Sequence, residues 1–175
     1  MPEIAVSAYL GRAPALAEEV LRKLKFSNKI LAAAESCSAG LVADSLAGIP
    51  GASDVFWGSF VSYMADAKHR MLGLPKEFIE KHGAVSRPVA LAMAEGALEK
   101  SGAFWAVSVT GLAGPGGDAG IPAGTVWIGL AGRDGDGLRS EAREFLFHGS
   151  RNEVREASAA AALEELLKWI VKFGY

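Results

Sequence analysis

Two short apolar runs, each ending abruptly in a cluster of small residues, constrain this chain more than any other feature. Ile30-Leu31-Ala32-Ala33-Ala34 runs into Glu35-Ser36-Cys37-Ser38-Ala39-Gly40. Phe104-Trp105-Ala106-Val107-Ser108-Val109 runs into Thr110-Gly111-Leu112-Ala113-Gly114-Pro115-Gly116-Gly117. Runs this short suit strands buried on both faces rather than amphipathic helices. Helical patterns lie around them. Residues 13–26 place Leu16, Val20, Leu21 and Leu24 on one face, with Pro14 at an early helical position. Residues 40–46 read as a helix broken near Gly48 and Pro50, 65–72 as a helix stopped at Gly73, and 75–82 as one stopped at Gly83. Residues 86–101 form a further helix with Val89, Met93 and Leu98 inward. The aromatic and branched stretch 55–63 reads as a strand.

The last third has a different grammar. Ten of the 27 residues from Gly111 to Gly137 are glycine, which leaves room only for loops and a hairpin there. Residues 125–131 and 138–147 read as its strands, joined by a Gly-Asp-Gly turn at 135–137. A long helix follows over 151–173, with Ser150 and Glu153 placed for a capping box and Leu163, Leu166, Leu167 and Ile170 as its buried stripe. Strands alternating with helices, then a hairpin and a helix, imply an α/β fold. The expected architecture is a three-layer α/β/α sandwich with a mixed, mostly parallel sheet, as a single domain over residues 1–175.

Composition removes several function classes. Eighteen basic against 20 acidic residues leave a net charge of −2, so nothing favours binding to nucleic acid, and no basic amphipathic stripe suggests a membrane surface. One cysteine, Cys37, excludes a disulfide framework. His69, His82 and His148 are scattered, which argues against a metal site and makes them surface or capping groups. Trp57, Trp105, Trp127 and Trp169 read as core packing. The start of the chain lacks a signal-peptide pattern and no long apolar run follows, so a cytoplasmic location is expected.

Chemistry is expected at the carboxyl ends of the strands, where open α/β sheets bind ligands. Ser36, Cys37 and Ser38 are all nucleophile candidates. Ser36 serves equally as a capping residue and Cys37 as a small core side chain. The helix beginning near Gly40 would aim free N–H groups at an oxyanion or a phosphate. Tyr63 and Lys68, five apart across a strand end, can reach one side; a lysine enclosed beside a serine can act as its base, although a solvated helix lysine is the simpler reading. The glycine-rich loop from Thr110 would offer N–H groups to an anion, or be only a surface loop; it lacks the Walker and dinucleotide patterns.

Together these segments resemble one family. Ala34-Glu35-Ser36-Cys37-Ser38-Ala39-Gly40 is similar to an Ala-Glu-Ser-Cys-Thr-Gly-Gly signature. Phe60-Val61-Ser62-Tyr63 with Ala67-Lys68 resembles a second motif and His82-Gly83-Ala84-Val85-Ser86 a third. Thr110 to Pro115 with Gly124-Thr125-Val126-Trp127 resembles a fourth. The family is that of the CinA carboxy-terminal domain, the competence/damage-inducible proteins, which includes stand-alone nicotinamide mononucleotide deamidases. The resemblance implies an amidohydrolase without metal or cofactor, converting nicotinamide mononucleotide and water to nicotinate mononucleotide and ammonia. It implies Ser36 as nucleophile, Lys68 as base and Tyr63 beside them. Ser38, Gly40, Thr110, Gly111, Ala113, Gly114 and Arg151 would bind the substrate. The chain departs from the family pattern at Ser38-Ala39, at Ala65-Asp66 in place of Asn-Glu, and at Ser150. These departures motivate a nucleotide-binding module without turnover as an alternative. A scaffold protein of competence or DNA damage and a Ser-Lys hydrolase of another amide are the others. The expected partner is a small nucleotide, with no nucleic acid or membrane; the long final helix permits a homodimer.

Overall fold

The computed structural model of the protein describes residues 3–134 and 137–173. Among the described residues six strands form one sheet: β1 (Glu3–Ala5), β2 (Leu31–Glu35), β3 (Phe56–Val61), β4 (Trp105–Gly111), β5 (Thr125–Asp134) and β6 (Gly137–His148). The α-helices of the described residues pack on it: α1 (Ala13–Ser27), α2 (Leu41–Ala47), α3 (Ala65–Leu72), α4 (Lys76–His82), α5 (Arg87–Ser101) and α6 (Arg151–Phe173). The strand order is β1-β6-β5-β4-β2-β3. β5 pairs antiparallel with both its neighbours and every other pairing is parallel. This is the expected mixed sheet. Of the turn expected over 135–137, residues 135 and 136 lie outside the described ones, and Gly137 opens β6 opposite Asp134.

The layers follow from the apolar faces. α1, α2 and α6 cover one face with a core that includes Val20, Leu24, Val107, Ile128, Leu163 and Leu166. The run Ala159-Ala160-Ala161-Ala162 is wholly buried, and its small side chains let α6 lie close to its neighbours. α5 covers the other face, with α3 and α4 against it, around Leu72, Ile79, Val89, Met93 and Leu98. Contact between α5 and the sheet depends on Gly129, where a Cβ would collide with the Ala90 carbonyl and the Ser108 hydroxyl. Ser86 caps α5 by accepting from the Val89 N–H at 3.4 Å. At α6, the Glu153 carboxylate accepts from both the N–H and the hydroxyl of Ser150, at 2.8 and 2.7 Å.

Three features differ from the sequence expectation. β1 adds an edge strand parallel to β6, in a segment too short to show periodicity. Trp57 is 52% exposed rather than a core residue, because β3 is the opposite edge strand; Trp105 and Trp169 are buried as expected. Lys68, whose simpler reading was a solvated lysine, is 1% exposed.

The topology places a crevice. The chain leaves β2 through α2 on one face to reach β3, then returns through α3, α4 and α5 on the other face to β4. β2 lies between β3 and β4, so the connections diverge at its carboxyl end.

Candidate active site

β2 and β3 finish level with one another, and β4 runs two residues further. Glu35 pairs with Val61 on one side and Val109 on the other. Ser36 therefore emerges between Ser62-Tyr63 and Thr110. Its N–H donates to the Val109 carbonyl at 2.8 Å, and the Ser62 N–H donates to the Glu35 carbonyl at 2.8 Å. α3 begins two residues after Tyr63, and side chains in its first turn lean back toward its N-terminus. Lys68 thus reaches back into the crevice.

The Lys68 Nζ lies 2.9 Å from Ser36 Oγ, 2.9 Å from the Ser62 carbonyl and 3.2 Å from the Tyr63 carbonyl. Burial lowers its pKa from 10.5 to about 8. The coordination accommodates both protonation states. An ammonium would donate to all three oxygens. A neutral amine has two N–H groups for the two carbonyls and keeps one lone pair, directed at the serine. Ser36 itself is 8% exposed, at the end of a strand and open on one side.

The neighbouring candidates are occupied. Cys37 is buried, and burial pushes its thiol up to about 12, so it is a core side chain and not a nucleophile. Ser38 is fully buried and donates to Glu35 Oε2 at 2.9 Å. Glu35 overturns a second expectation. Its buried carboxylate accepts from the N–H groups of Gly40, Val42 and Ala43 at 2.9, 3.0 and 3.0 Å, and from the Ser59 hydroxyl at 2.9 Å. The start of α2 is therefore closed by the chain's own carboxylate, and neither the Gly40 N–H nor the Ser38 hydroxyl is left for an incoming anion. A lone acid ending an apolar strand was the sequence signal for this plug.

Tyr63 meets Lys68 through its main-chain carbonyl rather than its phenol. The phenol oxygen accepts from Arg151 Nη2 at 2.8 Å, and the ring is 53% exposed. Arg151, in the first turn of α6, also donates from Nη1 to the Gly114 carbonyl at 2.6 Å. Tyr63, Arg151 and Gly114 thus join beside the Ser36-Lys68 pair. Thr110 is turned away, donating to the Ala84 carbonyl at 2.7 Å. Gly111 remains in the sheet, where a Cβ would strike Val126 and the Thr125 carbonyl, and Ala113 is buried. His69, His82 and His148 lie apart, His69 against the Leu74 carbonyl at 2.8 Å and His82 against the Phe78 ring. Among the described residues no three His, Cys, Asp or Glu side chains gather in a way that could hold a metal ion. Sequence reasoning missed Arg155, one turn beyond Arg151, whose guanidinium reaches the carbonyls of Cys37 and Ser38 at 3.2 Å each. Their spacing of four on one helix was the available signal.

The similarity to known proteins covers this whole arrangement. A CinA-like protein of Chlorobaculum tepidum is 46% identical over 153 residues, 86% of this chain and 36% of that protein. The chain thus spans a little over a third of the length of the curated relatives it matches. Among solved structures, the competence/damage inducible protein CihA from Agrobacterium tumefaciens superposes with a TM-score of 0.85 at 40% identity, covering 91% of this chain and 96% of that one. The competence damage-inducible protein A from Klebsiella pneumoniae gives 0.86 at 31% identity, covering 92% and 98%. The family described as the CinA C-terminal domain matches residues 13–170. This chain belongs to that family, of competence/damage-inducible type.

Proposed function

We propose that the chain is a metal-independent amidohydrolase that converts nicotinamide mononucleotide and water to nicotinate mononucleotide and ammonia by a Ser-Lys mechanism. The observation that carries the reading is the 2.9 Å contact between Ser36 Oγ and an enclosed lysine with a pKa of about 8. A serine at the end of a strand beside an amine that becomes neutral above about pH 8 is a nucleophile with its base in place. The substrate comes from the motif resemblance. Arg151 supports it, since its guanidinium now rests on two neutral oxygens and would bind an anionic group more strongly.

In the first step Ser36 Oγ bonds to the carboxamide carbon while its proton passes to Lys68 Nζ. The tetrahedral oxyanion collapses, the C–N bond breaks, and Lys68 delivers the proton to the departing nitrogen as ammonia. A water then attacks the acyl ester, giving a proton to Lys68. Ser36 recovers that proton as the acid leaves. The carbonyls of Ser62 and Tyr63 hold the amine in line throughout. On this reading the enzyme is a cytoplasmic domain acting on a free nucleotide.

The test is ammonia and nicotinate mononucleotide release by the purified protein with chelator present, beside Ser36→Ala and Lys68→Ala. Turnover should persist in chelator and fall by at least about 10³-fold in both variants. In the wild type, kcat/KM should rise with pH through about 8, because only the neutral amine takes the serine proton. A shift in melting temperature with nicotinamide mononucleotide but no ammonia would make the chain a binding module. Turnover that survives Ser36→Ala would sink the assigned nucleophile.

A further inference from the structure

We propose that Arg155 is a positioning residue that sets the peptide planes of the nucleophile loop and thereby aims the Cys37 and Ser38 N–H groups as oxyanion donors. The proposal rests on Ser36 acting as nucleophile, but not on the identity of the amide.

The geometry starts with the fork. Arg155 Nε donates to the Cys37 carbonyl and Nη2 to the Ser38 carbonyl, each at 3.2 Å. Nη1 donates to Asn152 Oδ1 at 3.1 Å, which fixes the guanidinium on its own helix. A guanidinium is rigid and planar, so holding two consecutive carbonyls fixes both peptide units. A trans peptide places its N–H opposite its carbonyl. With the Cys37 carbonyl turned to α6, the Ser38 N–H must point away from it. With the Ser38 carbonyl held, the Ala39 N–H is directed back, and it donates to the Ser36 carbonyl at 3.1 Å. That bond orients the remaining unit, whose N–H belongs to Cys37. Arg155 thus holds the Cys37 plane, and shares the Ser38 plane with the Leu41 N–H, which donates to the Ser38 carbonyl at 3.3 Å.

The donors left over are the relevant ones. Among the described residues, neither the Cys37 N–H nor the Ser38 N–H has a main-chain acceptor, whereas Ser36, Ala39, Gly40 and Leu41 all donate. Both lie against the Cys37 thiol, a weak acceptor, and two adjacent N–H groups so lightly engaged after a nucleophile suit a developing oxyanion, because little reorganisation is needed when charge appears. The start of α2 cannot serve, since Glu35 already takes its N–H groups. Glu35 also grips Ser38 Oγ from inside while Arg155 holds the two carbonyls from outside. The loop is clamped between a buried carboxylate and a guanidinium, and only the latter touches the peptides next to Ser36.

The experiment compares Arg155→Met and Arg155→Lys with wild type by three readouts. Steady-state ammonia release should show kcat falling about 10²-fold in Arg155→Met with KM within about twofold, the size expected for one lost oxyanion donor. Arg155→Lys should recover part of kcat, since an ammonium can satisfy one carbonyl but not both. Labelling of Ser36 by a fluorophosphonate, which needs the nucleophile and oxyanion donors but no amide substrate, should slow by a similar factor. The pH limb near 8 should stay in place in both variants, because Lys68 is untouched. Amide hydrogen exchange at Ala39, whose N–H is held on the Ser36 carbonyl, should quicken in Arg155→Met, and exchange along α6 should not. A wild type that labels at Ser36 without hydrolysing nicotinamide mononucleotide would overturn the substrate and leave the labelling and exchange comparisons to decide Arg155. Unchanged labelling and unchanged exchange in Arg155→Met would overturn the proposal. So would a defect confined to KM, or a loss of kcat that Arg155→Lys shares in full with a lowered melting temperature.

Discussion

The loops that follow β2 and β4 begin side by side, joined by the hydrogen bond from the Ser36 N–H to the Val109 carbonyl, yet they are built on opposite plans. The first, from Ser36 to Gly40, is five residues long and its first three are buried. Its backbone is consumed by the chain's own groups, Glu35 within and Arg155 without. The second runs from Leu112 to Gly124, with residues 115–120 all exposed. It closes on itself through Leu112-Thr125, Leu112-Gly124 and Asp118-Ile121 backbone bonds, and touches the first site through the Gly114 carbonyl on Arg151. Rigidity is concentrated where a reacting atom must be placed. On the proposed reading, the exposed loop is the part of the site that borders the substrate. Both loops are rich in small residues, so composition alone does not tell them apart.

Changes in the first loop and in the groups that hold it should therefore be costly in proportion to the contact removed. The largest effect is at Lys68. Lys68→Met should abolish turnover, and it should also reveal a pH-dependent cost in the wild type. Burial lowers the folded pKa from 10.5 to about 8, so below 8 the folded state carries a cation it would rather not hold. That penalty is relieved as pH rises from 8 toward 10.5. The stability of wild type relative to Lys68→Met should thus rise by roughly 2 kcal/mol between pH 7 and pH 10, measured by urea unfolding. A flat difference would mean that Lys68 is not buried as a titrating amine.

Glu35→Gln comes next. A carboxylate that accepts five hydrogen bonds becomes an amide with one acceptor oxygen and an NH2 group facing donors. Denaturant unfolding should show a loss of about 3 kcal/mol, with α2 and Ser36 disordered together. A loss below about 1 kcal/mol would show that the plug is not what holds the loop. In the open half of the site, Arg151→Lys should leave stability nearly unchanged. It should raise KM about tenfold, because a lysine cannot span Tyr63 and Gly114 in a fork. An equal fall in kcat without a KM change would place Arg151 among the transition-state contacts instead.

The smallest effect is at Ala39, a non-glycine residue at φ 50° where the resembling signature carries glycine. A left-handed alanine is strained, and glycine there loses more chain entropy on folding. Ala39→Gly should therefore stabilise by about 0.5 kcal/mol at most, with activity intact. A destabilisation would show that the methyl group contributes a contact to the clamp.

Local pattern made much of this legible. The bounds of α3 and α6 coincide with the spans read from periodicity and stop signals, because Gly73 ends α3 in a left-handed turn and the Ser150-Glu153 pair opens α6. The buried strands announced themselves as short apolar runs, and a sheet with one antiparallel strand followed from the order of elements. Ser36, Lys68, Tyr63 and Arg151 were legible as a set through ordered motifs rather than through any one of them.

Other properties were settled only when the strands were laid beside one another. A solvated lysine and an enclosed one look alike in a sequence. Lys68 is enclosed because β2 and β3 end level and α3 turns its first side chains back over that edge. The same register puts Glu35 beneath the start of α2, which converts an expected anion site into a filled one. Trp57 is exposed because β3 happens to be the outermost strand, a fact of strand order and not of hydrophobicity. Residue type and spacing determined which elements form and which groups are chemically able. Long-range register decided which of those groups meet, which lose their water, and hence which retain a lone pair or an N–H to use.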